Sequence, residues 1–170
     1  MAVSESYPRS EKMESFIHSE IKKREWPYKV IAGESETDRV ILRTENYILL
    51  PDIDNKDTSH LLVLFTDPAL LSIRELRGSH VPMLKQLLEM LKSRYPTDSI
   101  MFFHYPPSVW QLHLHVVTLT TNPRISNEMQ KIHFLQDVIS NLEIDSNYYT
   151  KATLSFILPF HHDLVNSVFT

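Results

Sequence analysis

The residues best suited to chemistry lie in the stretch Gln111-Leu112-His113-Leu114-His115-Val116-Val117. On a β-strand, successive side chains point to opposite faces, so Gln111, His113 and His115 share one face and the aliphatic residues share the other. An imidazole changes charge near neutral pH and can act as a nucleophile or as a proton donor. The pattern therefore predicts a strand with one face in a core and candidate catalytic groups on the other face.

The composition sets limits on the class of protein. The chain has 170 residues, of which 42% are hydrophobic and 22% charged, and this is typical of one soluble domain. It has no cysteine, which excludes disulfides and thiolate zinc sites, and only Gly33 and Gly78 as glycines, which excludes a Walker loop and a dinucleotide fingerprint. The composition therefore predicts no nucleotide cofactor.

Charge and hydropathy limit the partners and the location. The net charge is −4 with no cluster of Lys and Arg, which argues against DNA or a long nucleic acid, so a nucleotide ligand would be small or bound at one end. No apolar run is long enough to cross a bilayer, and the first residues lack a signal-peptide core. We expect no membrane association and a cytoplasmic or nuclear location, or both.

The hydrophobic pattern predicts an α+β domain with an antiparallel sheet and flanking helices. Residues 1–9 look frayed, the segment 1–19 is expected to be partly flexible, and 20–170 to form a single domain. A helix capped by Ser10 runs to about residue 24, where Trp26-Pro27 ends it. Strands are predicted over 39–42, 47–51, 61–65, 100–105, 112–119 and 153–158, and further helices from Ser79 and over 127–142.

The segment His104-Tyr105-Pro106-Pro107-Ser108-Val109-Trp110-Gln111-Leu112-His113-Leu114-His115 resembles the scavenger mRNA decapping family of histidine-triad hydrolases. Further similar segments occur in the same order, at 35–39, 50–52, 73–76, 138–142 and 153–156. The likeness spans roughly residues 20–168. It covers only the carboxy-terminal half of the usual enzyme, whose amino-terminal domain swaps between subunits.

The resemblance implies a hydrolase of mRNA decay that cleaves the triphosphate bridge of the 7-methylguanosine cap dinucleotide or of a short capped RNA, through a phosphohistidine (nucleotidyl) intermediate. It implies a histidine-triad fold, a homodimer and no metal. It leaves open that a separate protein partner supplies the missing domain.

The family's site residues can be carried over by position. His113 matches the nucleophile, and His104, His115 and Ser108 match phosphate contacts. Trp26 matches the aromatic that stacks on the methylated base, and Glu36 matches the acid at the guanine edge. Asp52 matches the acid near the ribose, and Pro51 and Ile53 match the other wall of the base slot. Three positions depart from the family: the first triad histidine is Gln111, a phosphate-contacting lysine is Asp54, and a later arginine corresponds loosely to Lys131.

Elementary chemistry supports several of these roles. A neutral imidazole attacking phosphorus forms a phosphoramidate, and its second ring nitrogen needs an acceptor, usually a backbone carbonyl. His115 could contact the same phosphate or protonate the leaving oxygen. An indole attracts the cationic 7-methylguanine ring, and a carboxylate such as Glu36 accepts two donors from the guanine edge.

The departures keep alternatives open. Gln111 can hydrogen-bond but carries no charge, and Asp54 repels a polyphosphate unless Lys56 or Lys131 compensates. The chain could therefore be a cap-binding protein with weak or lost catalysis. A general nucleotide hydrolase, indifferent to base methylation, is a third reading. The remaining histidines, which include His60, are assigned no role.

Overall fold

A computed structural model describes residues 1–52, 59–95, 97–119 and 131–170 and folds them into two antiparallel sheets with flanking helices. The strands are β1 (Ala2–Glu5), β2 (Leu42–Arg43), β3 (Tyr47–Pro51), β4 (His60–Phe65), β5 (Ser99–His104), β6 (His113–Thr118), β7 (Ile132–Phe134) and β8 (Leu154–Ile157). The helices are α1 (Glu11–Lys23), α2 (Trp26–Ala32), α3 (Val81–Arg94) and α4 (Leu135–Ile144). Short 3-10 turns lie at Ile73–Glu75, Gly78–His80 and Tyr148–Thr150, and a π-helical turn at Val165–Phe169.

The larger sheet has the strand order β2-β3-β4-β6-β5-β7, with antiparallel neighbours throughout. Strand β6 lies in its middle, between β4 and β5. Leu62 of β4 is paired with His115 and Leu64 with His113, while Phe102 of β5 is paired with His115 from the other side. Paired residues on antiparallel strands point to the same face, so these side chains surround the two imidazoles.

Alternation along β6 separates an apolar face from a polar one. Leu112, Leu114 and Val116 belong to the larger hydrophobic cluster, to which α3 and α4 also contribute. A smaller cluster lies on the opposite face and consists of Val30, Ile48, Leu50, Leu62 and Leu64. Since Leu62 and Leu64 are paired with the two histidines, His113 and His115 share the face of this smaller cluster. The predicted two-faced strand is confirmed for these histidines.

Helical periodicity explains how α3 and α4 cover the sheet. Their buried residues are Leu84, Leu87, Leu88 and Leu91 in α3 and Leu135, Val138, Ile139 and Leu142 in α4, which repeat at intervals of three and four. Burying each such side chain contributes about 1.5–3 kcal/mol. Pro82 lies in the first turn of α3, where no backbone donor is lost.

The amino-terminal prediction was wrong in two respects. Residues 1–9 do not fray, because Ala2–Glu5 pairs along its whole length with β8. The helix capped by Ser10 ends at Lys23 as expected, with the Ser10 side chain accepting from the Met13 N–H at 3.2 Å. Trp26-Pro27, however, begins α2 instead of ending a helix, since proline is favourable in a first helical turn.

The helix predicted over 127–142 was also wrong in its extent. Ile132–Phe134 forms β7, which pairs with β5, and the helix begins only at Leu135 and continues to Ile144. β-Branched and aromatic residues fit a sheet edge, so strand pairing overrides the helical spacing here. Residues 127–130 lie outside the described part of the chain. The strand predicted over 39–42 is reduced to Leu42–Arg43, although the Ile41 N–H still donates to the Leu49 carbonyl.

The α+β class with antiparallel sheets is confirmed. Among the described residues, no helix is long and apolar enough to cross a membrane. The division at residue 20 and the homodimer stay predictions.

A buried arginine hydrogen-bonds to segments that are far apart along the chain. Arg74 is fully buried and donates from Nη1 to the carbonyls of Tyr149 (2.9 Å) and Ala152 (2.6 Å) and from Nη2 to the carbonyl of Glu5 (2.7 Å). The Glu5 carboxylate lies 3.5 Å from Nη2 and accepts a hydrogen bond from the Tyr105 hydroxyl. This arrangement joins β1 to the segment that follows β5.

We expect Arg74→Met to lower the free energy of unfolding by about 3–5 kcal/mol, because it leaves three buried carbonyls without their donor and removes a positive charge beside the Glu5 carboxylate. Denaturant titration measures the loss. Arg94→Met, at an exposed position in α3, is the matched control and should stay within about 0.5 kcal/mol of the parent. Equal effects of the two substitutions would contradict the structural role of Arg74.

Candidate active site

His113 is held by the main chain. Its Nδ1 atom lies 2.8 Å from the backbone carbonyl of Gln111, and the residue is 6% exposed. A carbonyl only accepts, so Nδ1 carries the hydrogen, and Nε2 of the neutral ring has a lone pair for attack. The expected backbone acceptor for the second ring nitrogen is therefore present.

Burial also sets the charge of His113. Desolvation lowers its pKa to about 4, with smaller contributions in the same direction from His104 and Lys131, whereas the Gln111 carbonyl and Asp52 oppose the shift. The ring is accordingly neutral near pH 7. A neutral imidazole is the form that a nucleophile requires.

His115 lies at the centre of a group of aromatic rings. Its centroid is 4.3 Å from that of His104 and 5.1 Å from those of both His113 and His60, and Phe102 stacks on it at 5.2 Å with an interplanar angle of 11°. Burial, followed by the neighbouring imidazoles, holds its pKa well below the usual value. The structure therefore brings the three histidines of the predicted site into one cluster.

His60 joins this cluster although the sequence assigned it no role. Its Nε2 lies 2.9 Å from Nδ1 of His115, and its Nδ1 lies 3.1 Å from Oδ2 of Asp52. Among the described residues, ligand atoms of these three side chains lie within 4.8 Å of one another, close enough to hold a metal ion. The signal in the sequence is weak: His60 alternates with Leu62 and Leu64 on β4, but its proximity to His115 depends on the pairing of β4 with β6.

Gln111 does not extend the polar stripe as expected. It is fully buried, and its Nε2 donates at 2.8 Å to the backbone carbonyls of Phe65 and of Asp67. The strand begins after it, at His113. Its main chain orients His113, while its side chain anchors the end of β4.

Trp26 lies on the same face of the sheet as the imidazoles. It is partly buried and packs against the smaller cluster, which includes Leu62 and Leu64. These two leucines are the cross-strand partners of His115 and His113. The indole thus packs against a hydrophobic cluster that lies on the same face of the sheet as the imidazoles.

Glu36 and Asp52 are joined by an arginine that the sequence analysis missed. Arg39 Nη1 lies 2.7 Å from Oε2 of Glu36, and Arg39 Nη2 donates to the Asp52 carbonyl at 3.0 Å. Glu36 has a φ of +56°, in the left-handed region that few non-glycine residues adopt. A carboxylate three residues before an arginine was a local signal that could have indicated this pair.

For the predicted wall of the base slot, the structure does not support Pro51 and does not describe Ile53. Pro51 is paired with Leu61, a member of the larger cluster, so strand alternation places Leu50 rather than Pro51 on the side of Trp26. Ile53 lies outside the described residues, as do Asp54 and Lys56.

Ser108 and Lys131 are placed differently relative to the imidazole cluster. Ser108 is exposed and lines a cavity of about 260 Å³ with residues that include Glu20, Arg24 and His162 but none of the imidazoles of the cluster. The charge of Lys131 contributes to the lowered pKa values of His113 and His115, which places this cation near both rings.

Comparison with known proteins first defines the class of fold. The crystal structure of aprataxin ortholog Hnt3 in complex with DNA matches with a TM-score of 0.52 and 18% identity, covering 74% of this chain and 84% of that chain. Hnt3 from Schizosaccharomyces pombe matches with a TM-score of 0.51 and 17% identity over 77% of this chain and 83% of that one. These proteins have the histidine-triad fold, so the predicted fold is confirmed.

Sequence comparison identifies one family within this class of fold. Residues 25–130 match the family described as scavenger mRNA decapping enzyme C-term binding, and the chain belongs to it. The m7GpppX diphosphatase of Caenorhabditis elegans is 36% identical over 146 residues, covering 77% of this chain and 47% of that protein. The m7GpppX diphosphatase of Homo sapiens is 29% identical over 149 residues, covering 79% and 44%. The chain thus spans about half the length of these curated relatives.

The lowered pKa of His113 predicts a pH-dependent stability. Between pH 6.5 and about 4 the unfolded chain binds a proton at His113 that the folded chain does not, so acidification favours unfolding. A shift of this size corresponds to about 3 kcal/mol. We therefore expect the difference in unfolding free energy between the parent and His113→Gln to change by roughly this amount between pH 7 and pH 4, as measured by denaturant titration. A pH-independent difference would contradict the neutral state of His113.

Proposed function

We propose that this protein hydrolyses the triphosphate bridge of the 7-methylguanosine cap, as free cap dinucleotide or on a short capped RNA. The observation that carries the proposal is the neutral His113, oriented by the Gln111 carbonyl and located on the face of the sheet against which Trp26 packs. Membership of the decapping family and relatives named m7GpppX diphosphatase support the same substrate.

The proposed reaction has two displacements at phosphorus. Nε2 of His113 attacks a phosphate of the bridge, the P–O bond to the leaving nucleotide breaks, and a phosphohistidine forms. Water then attacks phosphorus, the P–N bond breaks, and the methylated nucleotide monophosphate leaves. Dividing one difficult displacement into two easier ones is the advantage of a covalent intermediate.

Recognition of the base is assigned to the other end of the site. The cationic 7-methylguanine would stack on the Trp26 indole, which attracts a positive ring by its quadrupole. Glu36 would accept from the guanine edge, with Arg39 holding the carboxylate in place. Asp52, whose carbonyl accepts from Arg39, would contact the ribose, and Lys131 and His104 would contact phosphates.

The assembly and location of the protein belong to the same proposal. We expect a homodimer in the cytoplasm, the nucleus or both, acting in mRNA decay, with a further protein partner as an open possibility. The second candidate function is cap binding without efficient turnover, which the anchoring of the Gln111 side chain by backbone carbonyls favours, since this amide is not aimed at a phosphate.

Turnover of the cap dinucleotide and the phenotype of His113→Asn test the enzyme. We expect the parent to release 7-methylguanosine monophosphate and the variant to lose at least about 10³-fold in kcat, because the attacking nitrogen is gone. His18→Asn, exposed on α1, is the matched control and should retain activity. If the parent binds the cap tightly but does not cleave it, the enzyme hypothesis is wrong and the cap-binding hypothesis is supported.

Trp26→Ala tests the base pocket separately. We expect the ratio of KM values for unmethylated and methylated cap dinucleotide to fall by about 2–30-fold, which corresponds to a cation–π contribution of about 0.5–2 kcal/mol. The unmethylated dinucleotide is the internal control, since it lacks the positive ring. A parent that does not distinguish the two dinucleotides would instead indicate a general nucleotide hydrolase.

A further inference from the structure

Three side chains form a continuous row that ends in the imidazole cluster. Oδ2 of Asp52 lies 3.1 Å from Nδ1 of His60, and Nε2 of His60 lies 2.9 Å from Nδ1 of His115. The central imidazole therefore contacts a different neighbour through each of its two ring nitrogens. Asp52 and His60 are partly buried and His115 is buried, so the row runs from a partly exposed carboxylate to a buried imidazole.

If His60 is neutral, hydrogen-bond polarity fixes the tautomers along the row. An ionised carboxylate only accepts, so Nδ1 of His60 carries the hydrogen that Asp52 receives. Nε2 of a neutral His60 is then an acceptor, and Nδ1 of His115 must donate to it. Nε2 of neutral His115 is left with a free lone pair, directed away from His60.

That last atom is the reactive end of the row. Nε2 of His115 is buried and has no hydrogen-bond partner among the described residues. Its ring lies 5.1 Å from that of His113, centroid to centroid. A buried nitrogen without a partner is costly unless a ligand supplies one. Once Nε2 has taken up a proton it becomes a donor, and the phosphate bound beside His113 is the nearest source of an acceptor oxygen.

We propose that His60 is a positioning residue that holds His115 with Nε2 facing the phosphate chain and, together with Asp52, stabilises the positive charge on His115 while it carries a proton. The inference rests on the proposed function, since it concerns the same displacement. It assigns the proton transfer of that reaction to an imidazole that is itself oriented by a second imidazole and a carboxylate.

The proton balance follows from the two displacements. Before the first, Nε2 of His115 takes up one proton from solvent when substrate binds, which the negative charge of the triphosphate favours. In the first, this Nε2–H gives its hydrogen to the leaving phosphate oxygen as the P–O bond breaks. In the second, Nε2 of the now neutral His115 takes a hydrogen from the attacking water as the P–N bond breaks. His115 ends protonated as it began, and Nδ1–H remains bonded to His60 throughout.

The geometry favours this row over a metal site built from the same residues. For His60 and His115 to bind one ion, the lone pairs of both nitrogens would have to point at the ion. With these nitrogens 2.9 Å apart and one donating to the other, they point at each other instead. Metal binding is therefore an outcome of the test and not the proposal.

Two variants of His60 separate a positioning role from a general loss of structure. His60→Phe keeps a planar ring of similar size and removes both hydrogen bonds. His60→Gln keeps a donor and an acceptor and should restore part of the row. Each is assayed on cap dinucleotide, whose leaving nucleotide needs a proton, and on the p-nitrophenyl ester of 7-methylguanosine monophosphate, whose leaving group does not.

We expect His60→Phe to lower kcat on the dinucleotide by about 10²-fold and on the p-nitrophenyl ester by less than about threefold, because only the first reaction needs the proton. His60→Gln should recover about tenfold of the loss on the dinucleotide. Equal losses on the two substrates, or no loss on either, would overturn the proposal.

A second measurement does not depend on turnover. Nitrogen-15 NMR of the ligand-free protein should show neutral His115 protonated at Nδ1 in the parent and mixed between the two tautomers in His60→Phe. An unchanged tautomer would overturn the role of His60 even if the enzyme were active. If the parent cleaves neither substrate, the proposed function fails while the tautomers still decide whether His60 orients His115. Stoichiometric Zn²⁺ binding to the chelator-treated parent, abolished by His60→Phe, would overturn the proposal in favour of a metal site.

Discussion

The pairing of β6 on both of its edges is the constraint on which the site depends. With β4 on one side and β5 on the other, the register of β6 is fixed by two ladders. A slip of one residue would put the imidazoles into the larger core and move Leu112, Leu114 and Val116 out of it, which the cost of burying unpaired polar groups disfavours. The same two ladders place Leu62, Leu64 and Phe102 around the imidazoles, so the sheet defines both the position of the reactive groups and the walls beside them.

Crowding of imidazoles on one face decides their chemistry. A buried ring surrounded by other rings that can also become cationic is held neutral, and this is the direction in which burial and neighbouring histidines move the pKa values of His113 and His115. Once the rings are neutral, hydrogen bonds alone decide which nitrogen has the lone pair. His113 donates to a carbonyl and His115 contacts another imidazole. In the proposed reaction, these different partners would allow one ring to attack phosphorus and the other to move a proton.

Whether a feature of the fold or the site can be predicted from the sequence depends on how far apart along the chain its interacting residues lie. The alternation of β6, the Ser10 cap and the apolar face of α3 are local patterns, and the sequence alone predicts them. β1, the strand at Ile132–Phe134 and the contact of His60 with His115 depend on partners that lie between 28 and 155 residues away along the chain, for which no local pattern exists. Resemblance to a family supplied the functional positions, yet it could not indicate His60, because that histidine acquires a partner only when β4 and β6 are paired.

Gln111 shows why a departure from a family motif need not disturb the group beside it. The contact that orients His113 comes from the backbone carbonyl at position 111, which any residue provides. The Gln111 side chain instead donates to the carbonyls of Phe65 and Asp67, where β4 ends, and so fixes the approach to β6 without adding a charge. Orientation of the nucleophile is thus independent of the side chain at this position, whereas stabilisation of developing negative charge on phosphate is not. In the proposed reaction, that second task would fall to the cationic side chain of Lys131, whose charge acts on His113, and to the His104–His115 pair, whose His115 ring lies 5.1 Å from that of His113.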